Sequence, residues 1–214
     1  MMIGLTGSMA AGKSTVSALL KKLGFYIIDA DEAAHRVLEA PAVIEKLTAV
    51  FGEDILGENG RIDRARLAEA AFSSAESTAE LNAAVHPAVI ENMLSEAEEF
   101  MLEYPEIPVV LDVPLLFESG MDRLCDRVLT VAADDETRYL RIMLRDGLTR
   151  EQAARRVEKQ MPQEEKMLRS DAVVFNNGGL TELRYAVLAA LGELGIEPPA
   201  GAEAILPDRE ENEA

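Results

Sequence analysis

The chain has 214 residues, of which 39 are Asp or Glu and 21 are Lys or Arg, giving a formal net charge of −18. That balance argues against a general nucleic-acid binder and against a role on anionic membrane surfaces, because phosphate-rich partners select basic faces. An apolar share of 48% is enough to build one α/β domain with an inserted or appended subdomain. The single cysteine, Cys125, permits no internal disulfide and suits a reducing cytoplasm. The N-terminus carries no basic stretch and no long apolar run of the kind that marks a secretory signal. No segment approaches the roughly 18 apolar residues of a membrane span. The expected location is the cytoplasm.

In chain order, Met2-Ile3-Gly4-Leu5-Thr6 reads as a short buried strand. The next segment, Gly7-Ser8-Met9-Ala10-Ala11-Gly12-Lys13-Ser14, fits the phosphate-loop pattern G-x-x-x-x-G-K-[ST] at every fixed position. A helix follows from Thr15, with apolar residues at 16, 19, 20 and 23. A glycine-rich turn between strand and helix lets backbone N–H groups converge on one anion, aided by the helix dipole. Lys13 then reaches the β- and γ-phosphates, and the Ser14 hydroxyl ligates Mg²⁺. The loop predicts binding of a nucleoside triphosphate. Alanine at 10 and 11 is expected to cost little provided φ stays negative.

Further strands are predicted at 25–28, 108–113, 127–132 and 172–175, separated by helical patterns, which implies a five-stranded parallel sheet with helices on both faces. The second strand ends in Asp29-Ala30-Asp31. On a continued strand both carboxylates share a face, aimed beyond the strand ends where ligands of parallel sheets bind. Asp31 then has two readings: acceptor of a proton from an attacking hydroxyl, or N-cap of a helix starting at Glu32. Helices are expected at 31–39, 41–51, 64–72 and 75–103, a mostly helical block suited to an acceptor. Pro87 should break or kink the last of these. The third strand ends in Asp112, the expected site of the acid that holds Mg²⁺, usually through water.

Beyond the fourth strand, a helix over 135–145 should stop at Gly147, and Thr149 with Gln152 forms a capping box for the next. Pro162 opens a third short helix. Residues 138–169 hold nine basic side chains against five acidic ones inside a strongly acidic protein, which suggests a mobile lid over a polyanion. The last helix is expected at 181–194 with Thr181 as its cap. From 197 to 214 the chain is acidic and apolar-poor behind Pro198-Pro199, and reads as a disordered tail.

These elements together resemble the dephospho-CoA kinase family, phosphate-loop kinases of the nucleoside monophosphate kinase-like group. The residues that carry the likeness are Gly4-Leu5-Thr6-Gly7 with the loop, Asp29-Ala30-Asp31, His86-Pro87, Asp112-Val113-Pro114-Leu115-Leu116-Phe117-Glu118, Arg145-Asp146-Gly147 and Asn176-Asn177-Gly178. The match runs over about 2–195 in the family's order. The resemblance implies a three-layer α/β kinase fold: one domain over 1–196, with its core at about 1–30, 106–134 and 170–195. A helical acceptor-binding region falls at about 31–105 and a lid at about 138–168. It implies transfer of the ATP γ-phosphoryl group to the ribose 3′-hydroxyl of dephospho-CoA, with Mg²⁺. ATP-site residues would be Gly7 to Thr15, Arg145, Asn176 and Gly178. Lys13, Asp31 and Arg145 would be catalytic, Asp31 as base or orienter. Acceptor contacts would come from Asp31, Arg64, His86, Leu115, Phe117 and Glu118. Ser14 and Asp112 would serve the metal. Small-molecule substrates are the expected partners, and a monomer or weak homo-oligomer the expected state.

Two rivals stay in view. A nucleoside monophosphate kinase shares the loop, lid and metal acid, but its acceptor is already anionic and needs no base at Asp31. A GTPase switch would carry an Asn-Lys-x-Asp or Thr-Lys-x-Asp segment, and none occurs.

Overall fold

A computed structural model describes residues 1–198. The expected acidic tail lies outside the described residues apart from its first two positions. Five strands are present: β1 (Met2–Gly7), β2 (Tyr26–Asp29), β3 (Val109–Asp112), β4 (Arg127–Ala132) and β5 (Ala172–Phe175). They form one sheet in the order β2-β3-β1-β4-β5. The pairings β1·β3, β1·β4 and β4·β5 are parallel, with Leu5 opposite Asp112 and Gly7 opposite Val131. β1 is central and buried apart from its first residue, so it reads as an unbroken apolar run rather than an alternating one.

The chain divides into two compact units. Among the described residues, the first comprises Met1–Ile27 and 100–198. Its helices include α1 (Lys13–Lys22), and Val16, Leu19 and Leu20 of that helix are buried with Ile3, Leu5, Val110 and Leu129. The second unit, Ile28–Glu99, holds α2 (Ala30–Val37), α3 (Pro41–Phe51), α4 (Arg64–Ala71) and most of α5 (Ala75–Glu103). α5 buries Val85, Val89, Met93 and Ala97, one residue per turn. The remaining helices, α6 (Asp135–Asp146), α7 (Arg150–Val157), α8 (Gln163–Leu168) and α9 (Leu180–Glu193), lie in the first unit. No helix of the described residues is long and apolar enough to cross a membrane.

The capping box of Thr149 with Gln152 is present, and Gly147 ends α6 at φ 67°. Two local expectations change. α9 starts one residue early, at Leu180 with Gly179 as its N-cap, and Thr181 makes no cap. Pro87 sits inside α5 without ending it. Proline there removes the bond to the carbonyl of Ala83. Both residues face solvent, so water satisfies that carbonyl and the helix continues on its buried face. Cys125 donates to the Met121 carbonyl at 3.4 Å, and burial, joined by the carboxylates of Asp122 and Asp126, pushes its thiol up to about 12. It is a half-buried packing residue with a free thiol.

The Pro87 geometry yields a test. Pro87→Ala restores a donor and removes the ring clash at an exposed interior position. Against this, the unfolded chain regains freedom worth under about 1 kcal/mol. Stability should rise by roughly 1–3 kcal/mol, read as a higher urea midpoint at constant m-value.

Candidate active site

β1 feeds directly into the phosphate loop. Gly12 stands at φ 98°, and a Cβ placed there would lie 2.1 Å from Asn176 Nδ2, so glycine is required twice over. The loop is held through its carbonyls. Asn176 Nδ2 donates to Ala11 O at 2.8 Å. Arg141 Nη1 donates to Ala10 O at 3.2 Å and Ala11 O at 3.3 Å, while its Nη2 donates to Asn176 O at 2.9 Å. Gln160 Oε1 accepts from Met9 N at 3.0 Å. With the carbonyls tied back, the amides of Gly12, Lys13 and Ser14 have no acceptor among the described residues. The first turn of α1 carries no acidic side chain and no side-chain cap. This is a helix N-terminus built to hold an anion. The hydroxyl of Ser8 is also buried without a partner.

Ala10 departs from expectation. Its φ is 62°, in the left-handed region, and it is the one non-glycine residue with positive φ among the described residues. Alanine is therefore strained at this turn rather than neutral.

The metal-acid candidate is placed as expected. Asp112 ends β3, is 3% exposed, and forms an ion pair with Lys13 Nζ. Ser14 sits exposed in the first turn of α1. A hydroxyl and a carboxylate are hard oxygen donors of the type Mg²⁺ takes.

Beyond Asp112, the chain is pinned under the loop. The Pro114 carbonyl accepts from Thr6 Oγ1 at 3.1 Å and from Lys166 Nζ at 3.2 Å. Lys166 is fully buried and pairs with Glu118 at 2.9 Å, and Glu118 also accepts from Met161 N at 3.3 Å. Glu118, expected at the acceptor, is thus the counterion of a buried lysine. Phe117 is buried with the Arg169 guanidinium 4.4 Å above its ring, so it packs rather than lines an open surface. Leu115 is exposed.

Arg145 is exposed and engaged with its neighbour. Its Nε and Nη2 donate to Asp146 at 2.8 and 2.9 Å, and Arg156 donates to the same carboxylate at 2.6 Å. The bond from Arg145, with help from Arg156, holds the Asp146 carboxyl below its usual range. The arginine on the loop is Arg141, one turn earlier on α6. In the sequence Arg141 is one cation of the basic cluster with no individual role, although its four-residue spacing from Arg145 marks one helical face. Arg141, Gly12, Thr15, Asn176, Gly178 and Leu180 are among the residues lining an open cleft of about 260 Å³. Asn176 and Gly178 thus border a cleft beside the loop, as expected for a nucleotide site, but Asn176 spends its amide on the loop backbone.

In the second unit, the Asp29-Ala30-Asp31 expectation changes. The strand stops at Asp29, whose side chain caps α2 by accepting from Asp31 N at 2.7 Å and Glu32 N at 3.1 Å. The two carboxylates therefore do not share a strand face. The cap is Asp29, and the exposed Asp31 in the first turn is not needed for it. His86 and Arg64 are both exposed, with no hydrogen bond to another described residue.

The sheet order, the phosphate loop after the central strand and the acid ending its neighbour define a phosphate-loop kinase fold. The Dephospho-CoA kinase family model matches residues 1–182. A dephospho-CoA kinase of Geobacillus kaustophilus is 48% identical over 190 residues, covering 88% of this chain and 94% of that protein. One of Fusobacterium nucleatum is 42% identical, covering 86% and 93%. Among solved structures, a Thermus thermophilus protein superposes with a TM-score of 0.74 at 42% identity, covering 91% and 97%. Dephospho-CoA kinase from Campylobacter jejuni gives 0.69 at 29%, covering 90% and 96%. The chain belongs to the dephospho-CoA kinase family.

The strained alanine yields a second test. Relief of its left-handed conformation is worth about 1–2 kcal/mol, against about 0.4–1 kcal/mol for the extra freedom of glycine in the unfolded chain. Ala10→Gly should therefore raise stability by roughly 0.5–1 kcal/mol, measured by urea denaturation.

Proposed function

We propose that this protein transfers the γ-phosphoryl group of ATP to the ribose 3′-hydroxyl of dephospho-CoA, giving CoA and ADP. The observation that carries the reading is the phosphate loop: carbonyls tied back by Asn176 and Arg141, amides free, and Lys13 beside Asp112, in a member of this family.

The residues divide the work as follows. Free amides from Gly12 to Ser14 take phosphate oxygens. Lys13 exchanges its Asp112 partner for the β- and γ-phosphates. Ser14 and Asp112 would hold Mg²⁺, which neutralises phosphate charge when bound. Asp31 orients the 3′-hydroxyl and takes its proton as the new P–O bond forms. The bond from the γ-phosphorus to the bridging oxygen breaks, and its electron pair leaves on ADP. In this reading 31–105 is the acceptor region and 138–168 the lid. Arg145 exchanges Asp146 for phosphate on closure, which excludes the water that would otherwise hydrolyse ATP. Small substrates suffice, and a cytoplasmic monomer or weak homo-oligomer is the working state.

The first test is product analysis. The protein with ATP, Mg²⁺ and dephospho-CoA should yield CoA by mass spectrometry; phosphorylation of a nucleoside monophosphate instead would replace this reading with the kinase rival. Lys13→Ala should nearly abolish turnover without loss of fold, because the lysine acts on charge that develops in the transition state. Near-normal kcat would remove the loop from the mechanism.

Asp31→Asn should lower kcat by roughly 10²-fold or more, as for loss of a general base, with ATP affinity little changed. Asp29→Asn is the control. Asn caps a helix about as well as Asp, so both stability and turnover should stay near normal. A larger loss in Asp29→Asn would overturn the assignment.

A further inference from the structure

Gln160 lies between α7 and α8 and is half-buried against the phosphate loop. Its Oε1 accepts from Met9 N at 3.0 Å, while its Nε2 donates to no described residue. We propose that this free amide donor binds the terminal phosphate of the triphosphate, so that Gln160 distinguishes ATP from ADP. The proposal rests on the function proposed above and adds to it a contact for the phosphoryl group that is transferred.

Donors are in excess at this point of the loop. Holding Met9 N requires only an acceptor, and Oε1 supplies it. The N–H bonds of the same amide stay free beside a loop whose own amides at Gly12, Lys13 and Ser14 have no acceptor among the described residues. Ser8, next to Met9, adds a buried hydroxyl with no partner. Polar groups kept from water without a partner are costly. One anion over the loop satisfies them together.

Place in the sheet sets which phosphate Gln160 meets. The strand order puts the loop, which follows β1, between the ends of β3 and β4. The cleft lined by Asn176, Gly178 and Leu180 follows β5, on one side. Gln160 is fixed toward the other. Its neighbour Met161 donates to Glu118 at 3.3 Å, and Glu118 belongs to the segment after β3, where it pairs with Lys166. Lys13 pairs with Asp112 of β3 on that same side. A triphosphate whose base enters by the β5 side and whose middle phosphate sits on the loop amides points its terminal phosphate toward β3. Held at Oε1 and through Met161, the amide is oriented before the nucleotide arrives, which keeps the ordering cost of the contact low.

The test is calorimetric and needs no acceptor substrate. Gln160→Met keeps the side-chain length and removes the amide. In the presence of Mg²⁺, its Kd for a non-hydrolysable ATP analogue should rise roughly tenfold, as for a lost hydrogen bond to a charged group. Its Kd for ADP should stay within about twofold, because the loop amides still hold the remaining phosphates. A glutamine that only braced the loop would weaken both nucleotides alike. Gln160→Glu retains an acceptor for Met9 N but loses the donor, so it should separate the analogue from ADP no better than Gln160→Met does. Thermal melts show that each variant folds. Equal losses for the analogue and ADP, no loss for the analogue, or normal discrimination in Gln160→Glu overturns the proposal. Failure of the unaltered protein to form CoA from dephospho-CoA would remove the functional reading instead, a result independent of this binding comparison.

Discussion

The site depends on one constraint: the phosphate loop must spend its carbonyls at Ala10 and Ala11 so that the amides of Gly12, Lys13 and Ser14 stay unspent. Every peptide unit has a donor and an acceptor, and a tight turn tends to pair them internally. Here the acceptors at Ala10 and Ala11 are taken by Asn176 and Arg141, from the segment after β5 and from α6. The loop's shape therefore rests on parts of the chain more than 120 residues away. Gly12 lets Asn176 approach, because any Cβ would collide with its amide. Arg141 links the two anchors by also bonding the Asn176 carbonyl.

The same constraint explains α6, whose polarity runs against its position. Arg138 is 4% exposed and Arg141 half-buried, while Leu140 is 56% and Leu144 85% exposed. A helix that packed by hydrophobicity would turn its leucines inward. Arg141 turns inward onto the loop carbonyls, while Arg138 is buried beside Asp135 of its own helix and Ile142 is the apolar residue that α6 buries.

Most of the fold was legible. Strand positions and the spans of α3 and α5 follow from apolar runs and periodicity, which report burial directly. Caps were harder, because Asp29 and Asp31 are the same residue type two positions apart. Only the backbone shows that the strand ends one residue before the helix begins. Thr181 is not a cap because the N-cap of α9 is Gly179, two residues earlier, and no side chain bonds the first amides. In the candidate site, the placement of Lys13 and Ser14 was legible because the loop motif fixes them relative to the backbone, and that of Asp112 because it closes an apolar strand. Arg141, Gln160 and the Lys166–Glu118 pair were not. Their partners are backbone carbonyls and amides, or a charge 48 positions away, and no local pattern encodes such pairs.

Ala10 shows how far a motif carries. The pattern leaves that position free, and a small side chain satisfies it. The structure adds that the backbone there is left-handed, so composition at a free position still has an energetic consequence. The buried lysine is a parallel case. Lys166 looked like one more cation of a phosphate-binding lid, yet its ammonium is spent on Pro114 O and Glu118. A buried ion pair adds little net stability but is costly to break. Its effect is to hold the segment after β3 beneath the loop, with Glu118 also bonding Met161 N. Gln160, adjacent to that anchor, thereby reaches Met9 of the loop. The cations of residues 138–169 thus divide: Arg141 and Lys166 build the platform, while the exposed Arg145 pairs with its neighbour Asp146.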